Sequence, residues 1–227
     1  MTKTKTLIEK INGGENPLFH ELYGSDASVL KEQSERYAHL ISDFEKTYGT
    51  DDVNLFSSPG RTEIGGNHTD HNHGRVLAGA VNLDNIAVAA PNGQNVIRVK
   101  SAGYPEFQVD LADLKIDEEN FYTSGSLVQG ICARMKENGY EIGGFDACID
   151  GRVPKGSGLS SSASFEVLIG TIINEFFNQG NMSAVENAII GQWAENNYFG
   201  KPCGLMDQTA CSVGGLITID FKDPANP

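Results

Sequence analysis

Three stretches of this sequence concentrate residues that can do chemistry. The first is Pro154-Lys155-Gly156-Ser157-Gly158-Leu159-Ser160-Ser161-Ser162-Ala163, a glycine-rich turn that runs into successive hydroxyls. Glycines let a backbone approach a ligand closely, and the free N–H groups and positive dipole end of a following helix favour an anion. Phosphate is the anion to expect. The stretch is not a P-loop, because the chain has no Gly-Lys-Ser or Gly-Lys-Thr, and not a Rossmann turn, because Ser161 occupies the third glycine position. A plain serine N-cap is the bland alternative.

The second stretch gathers Arg61, Asn67, His68, Asp70, His71 and His73. Imidazole and carboxylate groups at this spacing suit a transition metal, and in a turn-rich segment they equally suit a solvated loop or a hydroxyl-binding site. The third pairs Glu195 with Asp207 across a Gly200-Lys201-Pro202-Cys203-Gly204 break, which sets a carboxylate at the end of a turn. For either acid alone, a solvated surface is the alternative.

These residues need elements to hold them. Phe165, Leu168, Ile169, Ile172, Ile173 and Phe176 recur at helical spacing, so a helix follows the glycine-rich turn. Phe145, Ala147 and Ile149 alternate with polar or small residues and predict a strand that enters it. A capping box, Ser183-Ala184-Val185-Glu186, opens another helix that would carry Glu195, with Ile189, Ile190, Trp193 and Ala194 inward. Residues 85–90 and 96–100 flank the turn cluster Pro91-Asn92-Gly93-Gln94-Asn95 and predict a hairpin, with a third strand over 107–111. A helix is expected over 126–138, ended by Gly139, and a strand near 216–220. Upstream, 26–48 reads as a surface helix with one apolar stripe stopped by Gly49. Antiparallel strands with helices gathered between them indicate an α+β fold.

The chain has 227 residues, 39% hydrophobic and 21% charged, with a formal net charge of −13. That charge argues against a general nucleic-acid binder, which needs a basic face. No apolar run reaches membrane-span length and the start lacks a signal-peptide core, so the expectation is no membrane partner and a cytoplasmic address. Four cysteines without Cys-x-x-Cys pairing point to free thiols.

The motif Pro-x-Gly-x-Gly-Leu-Ser-Ser-Ser-Ala resembles the second motif of the GHMP kinases. Pro59-Gly60-Arg61 through His68-Thr69-Asp70-His71-Asn72-His73-Gly74, and Gly200 through Asp207-Gln208, resemble galactokinases within that superfamily. The resemblance implies the GHMP N-terminal domain, of the ribosomal protein S5 domain 2-like fold, over 56–227, preceded by an N-terminal extension over 1–55. It implies transfer of the ATP γ-phosphoryl group to a monosaccharide hydroxyl, the anomeric hydroxyl of galactose being expected. By position, Asp207 and Arg61 match the catalytic pair, and Asn67, His68, Asp70 and Gly204 match sugar-binding positions. Gly156, Ser157, Gly158, Leu159, Ser160, Ser161, Ser162 and Ala163 match the ATP loop, with Ser162 and Glu195 as Mg²⁺ ligands. Two positions depart from the pattern: Asn67 stands where the family has Glu, and Glu63 where it has Asn. An amide accepts a hydrogen bond without the charge that strengthens it, so another monosaccharide such as N-acetylgalactosamine is the alternative substrate. A non-catalytic sugar and ATP sensor is the other alternative, against which the intact Ser162-Ala163 pair weighs. Nothing matches the third glycine-rich motif of the family, so a truncated chain is expected, itself without activity.

Overall fold

The computed structural model describes residues 1–13 and 17–223; the last residues of the expected 56–227 unit, 224–227, lie outside the described residues. In chain order come β1 (Thr2–Lys3), α1 (Thr4–Asn12), α2 (Pro17–Tyr23), α3 (Ala27–Tyr48), β2 (Asp52–Gly65), β3 (Arg75–Pro91), β4 (Val96–Ser101), β5 (Phe107–Asp110), α4 (Ser124–Glu137), β6 (Phe145–Gly151), α5 (Ser161–Asn178), α6 (Ala184–Ala194), α7 (Met206–Val213) and β7 (Leu216–Asp220). The mixed α+β architecture follows the expectation. The strands form one sheet in the order β1-β2-β3-β6-β4-β5, with β7 pairing the first half of β3.

The expected hairpin between 85–90 and 96–100 is not formed, because β6 lies between β3 and β4. The turn cluster is opened instead of closed: the Asn92 amide donates to the Val96 carbonyl at 3.0 Å and to Asp146 Oδ1 at 2.8 Å, which binds the turn to β6. Arg98 completes the insertion with two bonds of 2.7 Å to the Asp146 carboxylate. Consequently β4 runs parallel to β6, correcting the all-antiparallel expectation. β3, with 17 residues, is longer than expected, and β2, with 14, is a strand that the sequence reading did not place.

β3 is apolar on both faces, and both are covered. Ile86, Val88 and Ala90 face a cluster with Tyr37, Leu40, Ile41 and Phe44 of α3. Ala87 and Ala89 face the larger core built with α4, α5 and α6. Asp26 caps α3 through Ser28 and Val29 N–H groups, and Gly49 ends it in the left-handed region at φ 71°. The α3 layer is tied down by the buried Arg36, whose guanidinium reaches the buried Asp84 at 2.6 Å and the partly exposed Asp150 at 2.9 Å. The predicted capping box is present at Ser183 and Glu186. The two short N-terminal helices, α1 and α2, are additions to the sequence reading; Leu7, Ile8 and Ile11 of α1 form an apolar stripe that packs into the α3 cluster.

Candidate active site

The sheet delivers the glycine-rich stretch to the N-terminus of α5. Its backbone turns left-handed at Gly156 (φ 72°), Gly158 (φ 74°) and Ser160 (φ 61°), conformations that glycine adopts without cost at the first two places. Ser160 stands at the N-cap position yet makes no capping bond. Its hydroxyl donates to Asp207 Oδ2 instead, so the plain N-cap reading fails and the first-turn N–H groups of α5 keep their anion-binding capacity.

Arg61 reaches the same point from β2. A register shift between Pro59 and Arg61 breaks the ladder with β3, and a bulge of this kind re-aims a side chain. Only glycine fits between them: a Cβ on Gly60 would lie 2.7 Å from the Leu159 carbonyl oxygen. The Arg61 Nε and Nη2 groups both donate to Asp207 Oδ1, at 2.8 and 2.6 Å, and Nη1 donates to the Gly158 carbonyl. Three chain segments distant in sequence, around 61, 160 and 207, therefore converge on one carboxylate. The Arg61 side chain is buried, while Asp207 retains 36% exposure and faces outward.

The residues 67–73 loop sits beside this carboxylate. Asp70 Oδ2 accepts the Met206 N–H at 3.3 Å, and a Cβ on Gly204 would fall 1.7 Å from that oxygen, so the Gly204 backbone and Asp70 are in close contact. His68 is 58% exposed with its Nε2 3.0 Å from Glu63, and Asn67 is exposed. The histidines do not converge as the metal alternative requires: His71 meets Asp70 at 3.4 Å, and among the described residues no group of three His, Cys, Asp or Glu side chains could hold a metal.

Glu195 follows α6 in a π-helical turn over Glu195–Phe199, a distortion common at functional sites. Its carboxylate is buried. Oε1 accepts from Ser162 Oγ at 3.3 Å and from Lys201 Nζ at 3.2 Å, and Oε2 accepts from Gln208 Nε2 at 2.9 Å. A hydroxyl and a carboxylate beside a glycine-rich loop are hard oxygen donors of the kind that Mg²⁺ takes. The pair thus fits the ion.

Two members of this cluster were not singled out from sequence. Gln208 is fully buried and its amide also donates to Glu166 Oε2 at 2.9 Å. Glu166 lies in the apolar run of α5, wholly buried, and burial together with the Glu195 charge holds its carboxyl well above the usual range. A charged residue inside an apolar helical face was the available signal.

A cavity of about 980 Å³ opens on the other side of the α5 terminus, with Ser161, Ser162 and Phe165 on one wall and Phe107, Tyr122 and Phe199 among the others. Neither Asp207 nor the 67–73 loop lines it.

Residues 126–215 match the model of the GHMP kinases N terminal domain, and residues 42–91 match the galactokinase galactose-binding signature. The chain is 37% identical over 176 residues to a galactokinase of Clostridium tetani, covering 77% of this chain and 44% of that protein. To a galactokinase of Lactococcus lactis it is 34% identical over 190 residues, covering 82% and 47%. The solved structure of Lactococcus lactis galactokinase complexed with galactose superposes with a TM-score of 0.77 at 31% identity, over 83% of this chain and 50% of that one. Methanococcus jannaschii mevalonate kinase shares the fold, with a TM-score of 0.63 at 19% identity over 76% of this chain and 55% of that one. The chain spans about half the length of the relatives it matches. Among the described residues no helix is long and apolar enough to cross a membrane.

Proposed function

Because the chain belongs to the galactokinase family of the GHMP kinase superfamily, we propose that it carries the sugar-binding and phosphoryl-transfer residues of an ATP-dependent sugar kinase. The acceptor is a monosaccharide hydroxyl, with the anomeric hydroxyl of galactose the first candidate. The observation that carries the reading is the meeting of Arg61, Ser160 and the Gly158 carbonyl around the half-exposed Asp207.

In this reading the sugar lies against His68, Asp70, Asn67 and the Gly204 backbone, and Asp207 accepts or orients the proton of the attacking hydroxyl. The Gly156 to Ala163 loop and the α5 terminus hold the phosphates, and the cavity of about 980 Å³ takes the base and ribose. Ser162 and Glu195 would hold Mg²⁺, which neutralises phosphate charge when bound. A positioned base supplies typically 10²–10⁴-fold, whereas orientation can supply roughly 7–11 kcal/mol of barrier, so placing the hydroxyl outweighs the base strength of Asp207. Arg61 spends three of its five N–H groups on Asp207 and Gly158. It acts first as the strut that fixes the carboxylate against the phosphate loop, with two N–H groups left for the transferring phosphoryl.

The N-terminal helices, within residues 1–55, support this site from the opposite face of the sheet, anchored through the buried Arg36 and Asp84 pair. A cytoplasmic location fits such an enzyme. The exchange of Glu and Asn at positions 63 and 67 favours keeping a second reading, a kinase for another monosaccharide.

The test is ATP consumption by the whole protein across a panel of monosaccharides, with Asp207→Asn as the control. Sugar-dependent turnover lost in the variant supports the kinase and names its acceptor. Sugar and nucleotide binding without turnover would replace the kinase with a sensor.

A further inference from the structure

The loop that follows β2 passes through three residues of positive φ, Gly66 (122°), Asn67 (54°) and His68 (49°). The last two carry side chains, which disfavour that region, so the turn needs an external hold. Glu63 provides it with both oxygens. Its Oε1 accepts the His68 backbone N–H at 2.9 Å, and its Oε2 lies 3.0 Å from the His68 Nε2. Both Glu63 oxygens are thus engaged with His68, whose side chain is 58% exposed.

We infer that Glu63 is a positioning residue for sugar binding, fixing the tautomer of His68 so that its Nδ1 is the hydrogen-bond acceptor offered to a sugar hydroxyl. A carboxylate only accepts, so the ring nitrogen facing it carries the hydrogen, and in a neutral imidazole the other nitrogen then presents a lone pair. The acceptor that a carboxylate before the histidine would supply is thereby moved one residue on. Asn67, exposed, adds an amide that both donates and accepts. Asp70, whose Oδ2 already takes the Met206 N–H at 3.3 Å, adds an acceptor. Two acceptors beside one amphoteric amide suit a neutral sugar with at least two hydroxyls donating at this end. A sugar acid would bring its carboxylate against Asp70 and Glu63. The ligand class rests on the sugar-kinase reading; the hold of Glu63 on His68 does not.

The test uses the whole protein labelled with ¹⁵N-histidine at pH 8, read by imidazole proton–nitrogen correlation, with the His68 signals assigned by their loss in His68→Gln. The expected spectrum shows His68 as the Nε2–H tautomer. Glu63→Ala should convert it to a tautomer mixture and weaken D-galactose binding by roughly tenfold, the loss of one bond to a charged group. Glu63→Gln keeps an acceptor oxygen and should recover part of both, which guards against a folding defect in the alanine variant. A His68 tautomer unmoved by Glu63→Ala overturns the inference, even if galactose binds normally. A tautomer that moves as expected while D-galactose, N-acetylgalactosamine and the other neutral monosaccharides fail to bind any form overturns the ligand class, and with it the sugar-kinase reading.

Discussion

Replacing Arg61 by alanine removes three hydrogen bonds at once, two to Asp207 Oδ1 and one to the Gly158 carbonyl. The Arg61 side chain is 6% exposed and Asp207 36% exposed. Breaking a fully buried pair costs about 3–5 kcal/mol, and the exposure of Asp207 reduces this, so a stability loss of about 1–2 kcal/mol is expected. In a domain of this size that is a fall in Tm of roughly 2–8 °C. The effect on turnover should be larger. The aspartate loses its fixed direction and the glycine-rich loop loses its tie to it, for which a loss of about 3–4 kcal/mol in the transition state corresponds to 10²–10³-fold in kcat. Arg61→Lys keeps a charge for Asp207 but cannot span to Gly158 with the same fork, and should fall between wild type and alanine. The assay is steady-state ATP consumption on the whole protein with galactose, alongside thermal unfolding. An alanine variant that unfolds at a lower temperature yet keeps more than about a tenth of wild-type kcat would refute the strut role.

Other substitutions probe the remaining contacts. Ser160→Ala removes a hydroxyl that serves Asp207 and no helix cap, so unfolding free energy should stay within about 0.5 kcal/mol of wild type while kcat falls about tenfold; a stability loss of cap size, about 1 kcal/mol, would contradict this assignment. Gly204→Ala places a methyl 1.7 Å from Asp70 Oδ2, and the displaced carboxylate should raise the galactose KM about tenfold or more with little change in the KM for ATP; equal effects on both substrates would count against it. Glu166 binds its proton more tightly folded than unfolded, because burial and the Glu195 charge raise its pKa. Its contribution to stability is therefore complete below the ordinary glutamate pKa, near 4.3, and declines as pH rises from there toward the folded value. Urea unfolding of Glu166→Gln should show a flatter pH profile than wild type between about pH 5 and 8 and greater stability at the upper end; parallel profiles would show that Glu166 does not carry the proton.

What the sequence by itself determined is local. Periodicity placed α3, α5 and the strand into the glycine-rich loop, and side-chain chemistry over three residues was enough for the Ser183 and Glu186 capping box, because the bonds that decide these features lie within a few residues. The motif spacing also marked 61, 67–70, 156–163, 195 and 207 as chemically able positions. Strand partners were another matter. The turn at 91–95 looked like a hairpin, and only the arrival of β6, some fifty residues later, separates β4 from β3, through its backbone ladders to both and the Asp146 side chain that holds Asn92 and Arg98. The same limit applies at the site. That Ser160 serves Asp207 and not its own helix, and that Gln208 joins Glu166 to Glu195, are choices among hydrogen-bond partners 13 to 47 residues apart. Such choices are made by which side chains packing leaves in the same buried space, and packing belongs to the whole fold.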